Sequence, residues 1–143
     1  MTDAEADPDL LDGLSRLALF AGLDRSELQT LVGMTREATF GEGDWIVRRG
    51  QDEVGLYMIV DGEIGVVYDG VELAVLSRGS FFGEISALLG EPTVADVLAR
   101  APTRCLIVAA QDVRRFLLEF PLVMLHLLQT EARRLKTADE SRA

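Results

Sequence analysis

The residues with the clearest chemical potential form the run Phe81–Ser86, in which two aromatic residues precede a glycine and a carboxylate. Gly83 has no Cβ, so the backbone at that position can approach a ligand closely. The apolar residues after Glu84 favour a short helix, and the N–H groups of Ile85 and Ser86 at its start would then face an anion. The sequence therefore predicts a strand, a tight turn and a short helix that together hold a phosphate-like group.

This segment also resembles a known motif. The run Phe82–Ser86, followed by Pro92 and by Ala95–Val97, is similar to the phosphate-binding cassette of the cyclic-nucleotide-binding domain family. That family includes catabolite-activator-type regulators, kinase regulatory subunits and gated channels. The resemblance implies that the glycine and the amides at the helix start bind the cyclic phosphate of cAMP or cGMP, and that Glu84 accepts a hydrogen bond from the ribose.

The residues after Pro92 depart from the family pattern. The family has an arginine directly after the proline, and that arginine pairs with the phosphate, whereas this chain has Thr93. Val94 follows where a small or hydroxylated residue is usual, and Asp96 is expected to place negative charge near the phosphate. Because a charged hydrogen bond contributes roughly 1.5–3 kcal/mol, threonine in place of arginine should weaken anion binding about ten- to a hundred-fold.

Another guanidinium group could compensate for the missing arginine. Arg134 in the last predicted helix is one candidate. The other candidates are Arg48, Arg49, Arg78, Arg100 and Arg104. The alternative for each of these arginines is a solvated charge on the surface. The predicted ligand contacts thus combine the cassette with residues from other parts of the chain. They are Leu73, Ala74, Phe82, Gly83, Glu84, Ile85, Ser86, Thr93, Val94 and Arg134.

Several of these residues have a purely structural alternative. A carboxylate in the first turn of a helix, such as Glu84, is favoured by the helix dipole alone, and Ser86 is equally consistent with capping of the helix start. Leu73 and Ala74 resemble family positions that touch the base and the sugar, but they also fit as inward-facing strand residues. For Val66, another such position, the core is the preferred prediction.

The composition limits the number of domains and the class of partner. A chain of 143 residues with 48% hydrophobic residues can bury one core but not two. Its formal net charge of −10 would repel a nucleic-acid duplex, so we expect no autonomous binding to nucleic acid. The single Cys105 and the start of the chain give no sign of secretion, and no apolar run has the length of a membrane span. We therefore predict a reduced, cytoplasmic protein without membrane insertion.

The sequence does not favour catalysis. His126 is the only histidine and lies on the flank of a predicted helix, so a surface or interface role is preferred over metal binding. No nucleophile and base are paired for covalent catalysis, and Cys105 lies in a predicted buried strand, where a thiol acts as a small hydrophobic group. We therefore predict no catalytic residue, no metal site and no cofactor beyond the possible nucleotide ligand.

The N-terminal elements are predicted from periodicity and capping. Residues 1–9 are acidic and small and are expected to form a flexible tail, while residues 10–143 form a single domain. A first helix is indicated by apolar residues at steps of four, three and four, namely Leu10, Leu14, Leu17 and Ala21. Asp24 and Glu27 then form a capping box that starts a second helix.

Between Ala38 and Ala109, short β-favouring runs alternate with glycines, which predicts strands. The runs are Trp45–Val47, Leu56–Val60, Ile64–Tyr68, Val71–Leu76, Asp96–Ala99 and Cys105–Ala109. The pair Asp69-Gly70 between two of them is a hairpin signal. Together with the cassette the total is about eight strands. The predicted fold class is α+β, mainly β, with an eight-stranded jelly-roll-like β-roll flanked by N-terminal and C-terminal helices.

Two helices are predicted at the C-terminal side, over Asp112–Phe120 and Pro121–Lys136. The last one carries an apolar seam with steps of three, four and three, formed by Leu125, Leu128, Ala132 and Leu135. In relatives this helix dimerises or lies over the pocket as a lid.

Two functions therefore stay open. One is a stand-alone, non-catalytic sensor that binds a cyclic nucleotide or related small anion and acts on an effector protein. The other is an interaction module with a vestigial pocket, which forms a homodimer or docks a partner through this seam.

Overall fold

Two antiparallel sheets organise the interior of the protein. The computed structural model describes residues 2–142, so Met1 of the predicted tail and Ala143 of the predicted domain lie outside the described residues. The strands are β1 (Thr2–Asp3), β2 (Arg36–Phe40), β3 (Trp45–Val47), β4 (Leu56–Asp61), β5 (Glu63–Tyr68), β6 (Val71–Ser77), β7 (Phe81–Phe82), β8 (Asp96–Ala99) and β9 (Thr103–Val108). The first sheet has the order β1-β2-β9-β4-β7 and the second β3-β8-β5-β6. Apart from the two-residue β1, they form the eight-stranded β-roll that the sequence predicts.

The central strands of the first sheet, β4 and β9, are buried on both faces. In β4 and β9 the residues alternate between two apolar clusters: Met58 and Leu106 face the helices, whereas Ile59 and Cys105 pack between the sheets. This alternation follows from the two-residue period of a strand. It explains why the run that starts at Leu56 is apolar throughout, since a strand covered on both faces has no solvent side.

Within residues 2–142, five α-helices and two 3₁₀ turns pack mainly on the outer face of the first sheet. They are α1 (Pro8–Ser15), α2 (Arg25–Gly33), α3 (Glu84–Leu89), α4 (Val113–Glu119) and α5 (Pro121–Arg142), with 3₁₀ turns at Ala18–Phe20 and Ala110–Asp112. Buried residues of α1, α2, α4 and α5 share one apolar cluster with this sheet. No helix in the described part of the chain combines the length and the apolar character that crossing a membrane requires.

The N-terminal segment differs from the prediction. Helix α1 ends at Ser15, because the amides of Arg16 and Leu17 bond to carbonyls three residues back and tighten the last turn. The predicted continuation of this helix to Ala21 is therefore wrong. The expected flexible tail, residues 1–9, contains in its described part the strand β1, which pairs with β2, and the start of α1.

Two local predictions are confirmed in this region and in the sheet. The amide of Glu27 donates to the Asp24 carboxylate at 2.8 Å, and the Glu27 side chain accepts from the Asp24 amide, which completes the capping box. Asp69 and Gly70 have positive φ angles of 50° and 76°, as a type I′ hairpin turn requires. Strand β2, in contrast, has no clear sequence signal, because charged and polar residues make up more than half of it.

Helix α5 connects the core to the predicted cassette. It begins at Pro121, as the sequence predicts, and extends beyond the predicted end at Lys136 to Arg142. Val123 and Leu127 are buried and anchor its first half to the cluster on the helix side of the first sheet. Its second half then passes the strand β7, so a part of the chain that is distant in sequence lies next to the cassette.

Candidate functional site

Two glycines hold the cassette turn in shape. Gly83 lies between β7 and α3 and has a left-handed φ of +87°, which residues with a side chain rarely adopt. A Cβ at Gly83 would come within 3.0 Å of the carbonyl oxygen of Gly55, and a Cβ at Gly55 would come as close to the carbonyl oxygen of Val108. Gly83, which the sequence assigns to close ligand approach, is therefore also required for the packing of the backbone here.

The start of α3 combines unpaired backbone donors with a cavity. Within residues 2–142, the N–H groups of Ile85 and Ser86 have no acceptor. Both residues line a cavity of about 270 Å³, called here the cassette cavity. Its full lining consists of Val47, Val54, Val66, Leu76, Phe82, Gly83, Glu84, Ile85, Ser86, Glu91, Pro92, Thr93, Val94, Ala95, Val97 and Arg134. This volume is close to the lower end of the range of about 300–1,000 Å³ that is typical of small-molecule sites.

Two hydroxyl groups among the predicted ligand contacts already have protein partners. Ser86 Oγ donates to the carbonyl of Glu91 beyond the end of α3. Thr93 Oγ1 donates to the carbonyl of Arg48 at 2.9 Å and accepts from the amide of Gln51 at 3.1 Å. Thr93 thus joins the loop after β3 to the loop before β8. At Ser86 it is the backbone N–H, rather than the hydroxyl, that has no partner in the described part of the chain.

Glu84 is a buried carboxyl group in the wall of the cassette cavity, with only 5% of its surface exposed. Its Oε1 lies 3.7 Å from Nη1 of Arg134, whereas its Oε2 has no hydrogen-bond partner among the described residues. Burial, assisted by the Glu131 carboxylate, raises the pKa of Glu84 to about 7 against the opposing effects of its own backbone N–H and of Arg134. Because buried polar atoms normally have a partner, the unpaired oxygen indicates a place for one more donor.

Arg134 reaches the cassette from α5. Its Nη1 pairs with Glu131 at 2.9 Å, and its Nη2 donates to Ser80 Oγ at 3.1 Å and to the carbonyl of Phe81 at 3.3 Å. The guanidinium carbon lies 4.6 Å from the centre of the Phe81 ring, which is a cation–π distance. Among the arginines in the described residues, Arg134 is the one that lines the cassette cavity.

Four of the other candidate arginines form ion pairs away from this cavity. Arg48 and the amide of Arg49 bind Asp96, and that amide is the main reason why the pKa of Asp96 is lowered. Asp96 does not line the cassette cavity, so the negative charge expected beside the ligand is held by the loop after β3 instead. Arg100 and Arg104 pair with glutamates of the two sheets.

Leu73 and Ala74 are not brought to the cassette cavity. Both lie on the exposed strand β6, whose solvent-facing residues include Leu73 with 63% of its surface exposed. Val66, which the sequence assigns to the core, packs on the cluster between the sheets and also lines the cavity, together with Leu76. The sequence contains a signal for Val66, because the two-residue period of β5 places it on the same face as the buried Ile64.

These residues together suit a small anion that carries a hydroxyl group and an apolar group. Unpaired amides at a helix start bind anionic oxygens, and the buried carboxyl group of Glu84 can accept a hydroxyl hydrogen. The apolar wall that includes Val47 and Val97 can cover the rest of such a ligand. Within residues 2–142, no three His, Cys, Asp or Glu side chains are grouped as a metal site would require.

Comparison with known proteins agrees with this geometry. The family model described as the cyclic nucleotide-binding domain matches residues 37–120, more than half of the chain. The chain is also 31% identical over 119 residues to the mouse cyclic nucleotide-gated channel alpha-4. That match covers 78% of this chain and 21% of the channel, so the chain spans about a fifth of the length of this relative.

Two solved structures show the same β-roll. The catabolite activator protein of Thermus thermophilus has a TM-score of 0.76 and 28% identity, over 87% of this chain and 61% of the other. The regulatory subunit of a cAMP-independent protein kinase A from Trypanosoma brucei has a TM-score of 0.76 and 24% identity, over 94% of this chain and 49% of the other. The second likeness concerns the fold alone. With its β-roll, its cassette turn and the match over residues 37–120, the chain belongs to the cyclic-nucleotide-binding domain family.

Proposed function

We propose that this protein is a non-catalytic regulatory module that binds a cyclic nucleotide, cAMP or cGMP, or a related small anion in the cassette cavity. The amides of Ile85 and Ser86 bind the phosphate, and Glu84 accepts the ribose hydroxyl. The observation that carries this proposal is the grouping of two unpaired amides and the buried carboxyl group of Glu84 around a single cavity. We place the module in the cytoplasm, because its only cysteine, Cys105, is a buried free thiol.

Helix α5 is the element that transmits binding. It contributes Arg134 to the cavity wall, and Arg134 contacts both Glu84 and the strand β7. A hydroxyl that donates to Glu84 favours the ionised carboxylate, which attracts Arg134 more strongly than the neutral acid does. The ligand therefore binds the docked position of α5 better than an undocked one and shifts the population toward it. An effector protein would respond to the position of this helix.

Calorimetric titration with cAMP and with cGMP tests this function directly. We expect saturable heat with at least one of them, together with a rise in the melting temperature. The 2′-deoxy analogue of the better nucleotide should bind about ten-fold more weakly or worse, because a hydrogen bond to a charged acceptor contributes roughly 1.5–3 kcal/mol. Neither heat nor a thermal shift with both nucleotides at millimolar concentration would contradict the proposal.

Thr93→Arg should raise the affinity for the better nucleotide about ten- to a hundred-fold, since a charged hydrogen bond contributes roughly 1.5–3 kcal/mol. Thr93 lines the cassette cavity, so a longer, charged side chain at this position starts beside the space for the anion. The substitution also removes the hydrogen bonds to Arg48 and Gln51. We therefore expect the free energy of unfolding to fall by about 1–2 kcal/mol at the same time.

Thr93→Val is the matched control for this gain. Valine has nearly the same shape, loses both hydrogen bonds and adds no charge, so it should reproduce the loss of stability without the gain in affinity. Urea unfolding and calorimetry on both variants separate the two effects. Equal nucleotide affinity in the arginine and valine variants would mean that position 93 does not approach the ligand's charge.

A second candidate function is supported by the exposed apolar side of α5. Its leucines Leu125, Leu128 and Leu135 are 46%, 62% and 66% exposed, and they have the spacing of a helix-pairing seam. In this alternative the cavity is vestigial, and the chain forms a homodimer or docks a partner through the seam.

Leu128→Glu tests this alternative. Burial of a leucine side chain contributes roughly 1.5–3 kcal/mol, and a charge in the seam adds repulsion between two copies, so dimerisation should weaken by at least about ten-fold. Sedimentation analysis over a range of concentrations measures the effect. Leu118 lies outside α5 and is also exposed, at 72%, so Leu118→Glu serves as the control. A wild-type protein that stays monomeric at high concentration would rule out the homodimer.

A further inference from the structure

A second cleft lies between the 3₁₀ turn Ala18–Phe20, the loop after β6 and helix α5, with a volume of about 500 Å³. We call it the arginine cleft. Its polar side chains are Arg78, Ser80, His126, Gln129, Thr130 and Arg133. None of these six residues lines the cassette cavity, and Arg134 does not line the arginine cleft. The two sites are therefore separate, although α5 contributes to both.

The two arginines of this cleft have no acidic partner in the described part of the chain. Eight other arginines in residues 2–142 form ion pairs with a carboxylate. Arg78 and Arg133 form none there, and no Asp or Glu lines the cleft. The chain as a whole carries 24 acidic residues and a formal net charge of −10. An acid-free cleft with two unpaired guanidinium groups is thus a local concentration of positive potential on an acidic protein.

Hydroxyl donors stand beside these cations. Ser80 Oγ accepts a hydrogen bond from Arg134 at 3.1 Å, so its own hydrogen stays available, and within residues 2–142 neither this hydroxyl nor that of Thr130 donates to an acceptor. Both residues are half-buried in the wall of the cleft. His126 Nδ1 lies 3.0 Å from the carbonyl of Leu19 and donates to it, since a carbonyl can only accept. That bond fixes the 3₁₀ turn against α5 and holds the cleft in shape.

We propose that the arginine cleft is a second binding site, for a small phosphate-bearing molecule. Guanidinium groups present paired N–H donors that match phosphate oxygens, and the hydroxyl groups of Ser80 and Thr130 add donors for the remaining oxygens. The bound anion would link Arg78 in the loop after β6 to Arg133 on α5. This site does not depend on nucleotide binding in the cassette cavity.

Titration of the full chain with inorganic phosphate and with pyrophosphate, at constant ionic strength, tests this site by amide and arginine side-chain NMR. We expect saturable shifts in residues 78–81 and 126–133, with pyrophosphate the tighter of the two. Arg78→Gln and Arg133→Gln should each weaken binding about ten- to a hundred-fold, as expected for the loss of one charged hydrogen bond. Both side chains are exposed, so both variants should keep the melting temperature of the wild type.

Arg114→Gln is the control variant. Arg114 also forms no ion pair in residues 2–142, donates a hydrogen bond to the carbonyl of Leu88 at 3.4 Å and lies outside the cleft. The substitution Arg114→Gln removes the same charge as the two test variants but does so outside the cleft, so the affinity for pyrophosphate should stay unchanged. Equal weakening in all three variants would show a general charge effect and overturn the site. Shifts confined to residues 83–86 would assign phosphate to the cassette cavity instead, and the absence of saturable shifts would exclude binding in the cleft.

Discussion

Gly83→Ala is expected to lower the free energy of unfolding by roughly 2–5 kcal/mol, from left-handed strain of about 1–2 kcal/mol and an overpacking cost of about 1–3 kcal/mol. The φ of Gly83 is +87°, and a Cβ there would come within 3.0 Å of the carbonyl oxygen of Gly55. That neighbour is backbone and cannot rotate away as a side chain would. Urea unfolding followed by circular dichroism measures the loss.

Gly90→Ala separates the two contributions. Gly90 lies at the other end of α3 with a φ of +67°, and a Cβ there would meet nothing within 4 Å. Only the strain of about 1–2 kcal/mol should then remain. If both alanine variants lost the same stability, the close contact with Gly55 would not matter. A large loss at Gly83 alone would mean that this glycine serves the turn even without ligand, so nucleotide affinity in Gly83→Ala would not report on ligand contact.

The fold follows from signals that are local in the sequence. Residues 56–60 of β4 and residues 105–108 of β9 are apolar because these central strands are covered on both faces, and a continuous apolar run predicts such a strand. The hairpin at Asp69-Gly70 is equally local, since both residues tolerate positive φ. Strand β2 lacks such a signal, because its half-exposed residues are largely polar and its position is fixed by pairing with β9.

The candidate site is predictable only in part, because some of its contacts join residues that are distant in the sequence. The turn at Gly83 and the unpaired amides after it belong to one continuous segment, so sequence patterns contain them. The contacts of Arg134 with Phe81 and Glu84 depend on where α5 lies after folding, and the sequence left this arginine as one candidate among six. The bonds of Thr93 likewise connect it to a loop that precedes it by more than 40 residues.

Strand β6 shows a further limit of prediction from the sequence. Leu73 and Ala74 are apolar residues in a β-favouring run, which is consistent with an inward face, but β6 is the edge strand of the second sheet. Its pairing with β5 shifts register between Val66 and Val67, which changes the residues that lie opposite each other. Residues 71–75 of β6 are all exposed, including Ala74, which pairs with Val66, so an apolar residue in a β-favouring run of an edge strand need not be buried on either face.

Glu84→Gln is expected to stabilise the protein above neutral pH. Burial and the Glu131 carboxylate raise the pKa of Glu84 in the folded protein to about 7 from its ordinary value of 4.5. At pH values between 4.5 and about 7, the folded state binds more protons than the unfolded state. The contribution of Glu84 to stability therefore falls as the pH rises through this range. The full change is at most roughly 3 kcal/mol. Glutamine resembles the neutral acid and should avoid this loss.

The measurement is the difference in unfolding free energy between Glu84→Gln and the wild type at pH 5, 6, 7 and 8. The difference should be smallest at pH 5, increase through pH 7 and level off above it, because Glu84 is then ionised in both states. Glu91→Gln is the control, since Glu91 is an exposed carboxylate at the other end of α3. Its effect should stay within about 0.5 kcal/mol at every pH. A difference that is flat with pH for Glu84→Gln would contradict the raised pKa.

The same carboxyl group links pH to the proposed function. If the ribose hydroxyl donates to ionised Glu84, nucleotide binding requires the loss of its proton, and a pKa of about 7 then predicts an affinity about ten-fold higher at pH 8 than at pH 6. Titration in buffers with different ionisation enthalpies should show proton release on binding near neutral pH. In Glu84→Gln the affinity should be lower and its dependence on pH should disappear. A ligand that bound equally well from pH 6 to 8 would not use Glu84 as an ionised acceptor, and the coupling to α5 through Arg134 would then lack its physical basis.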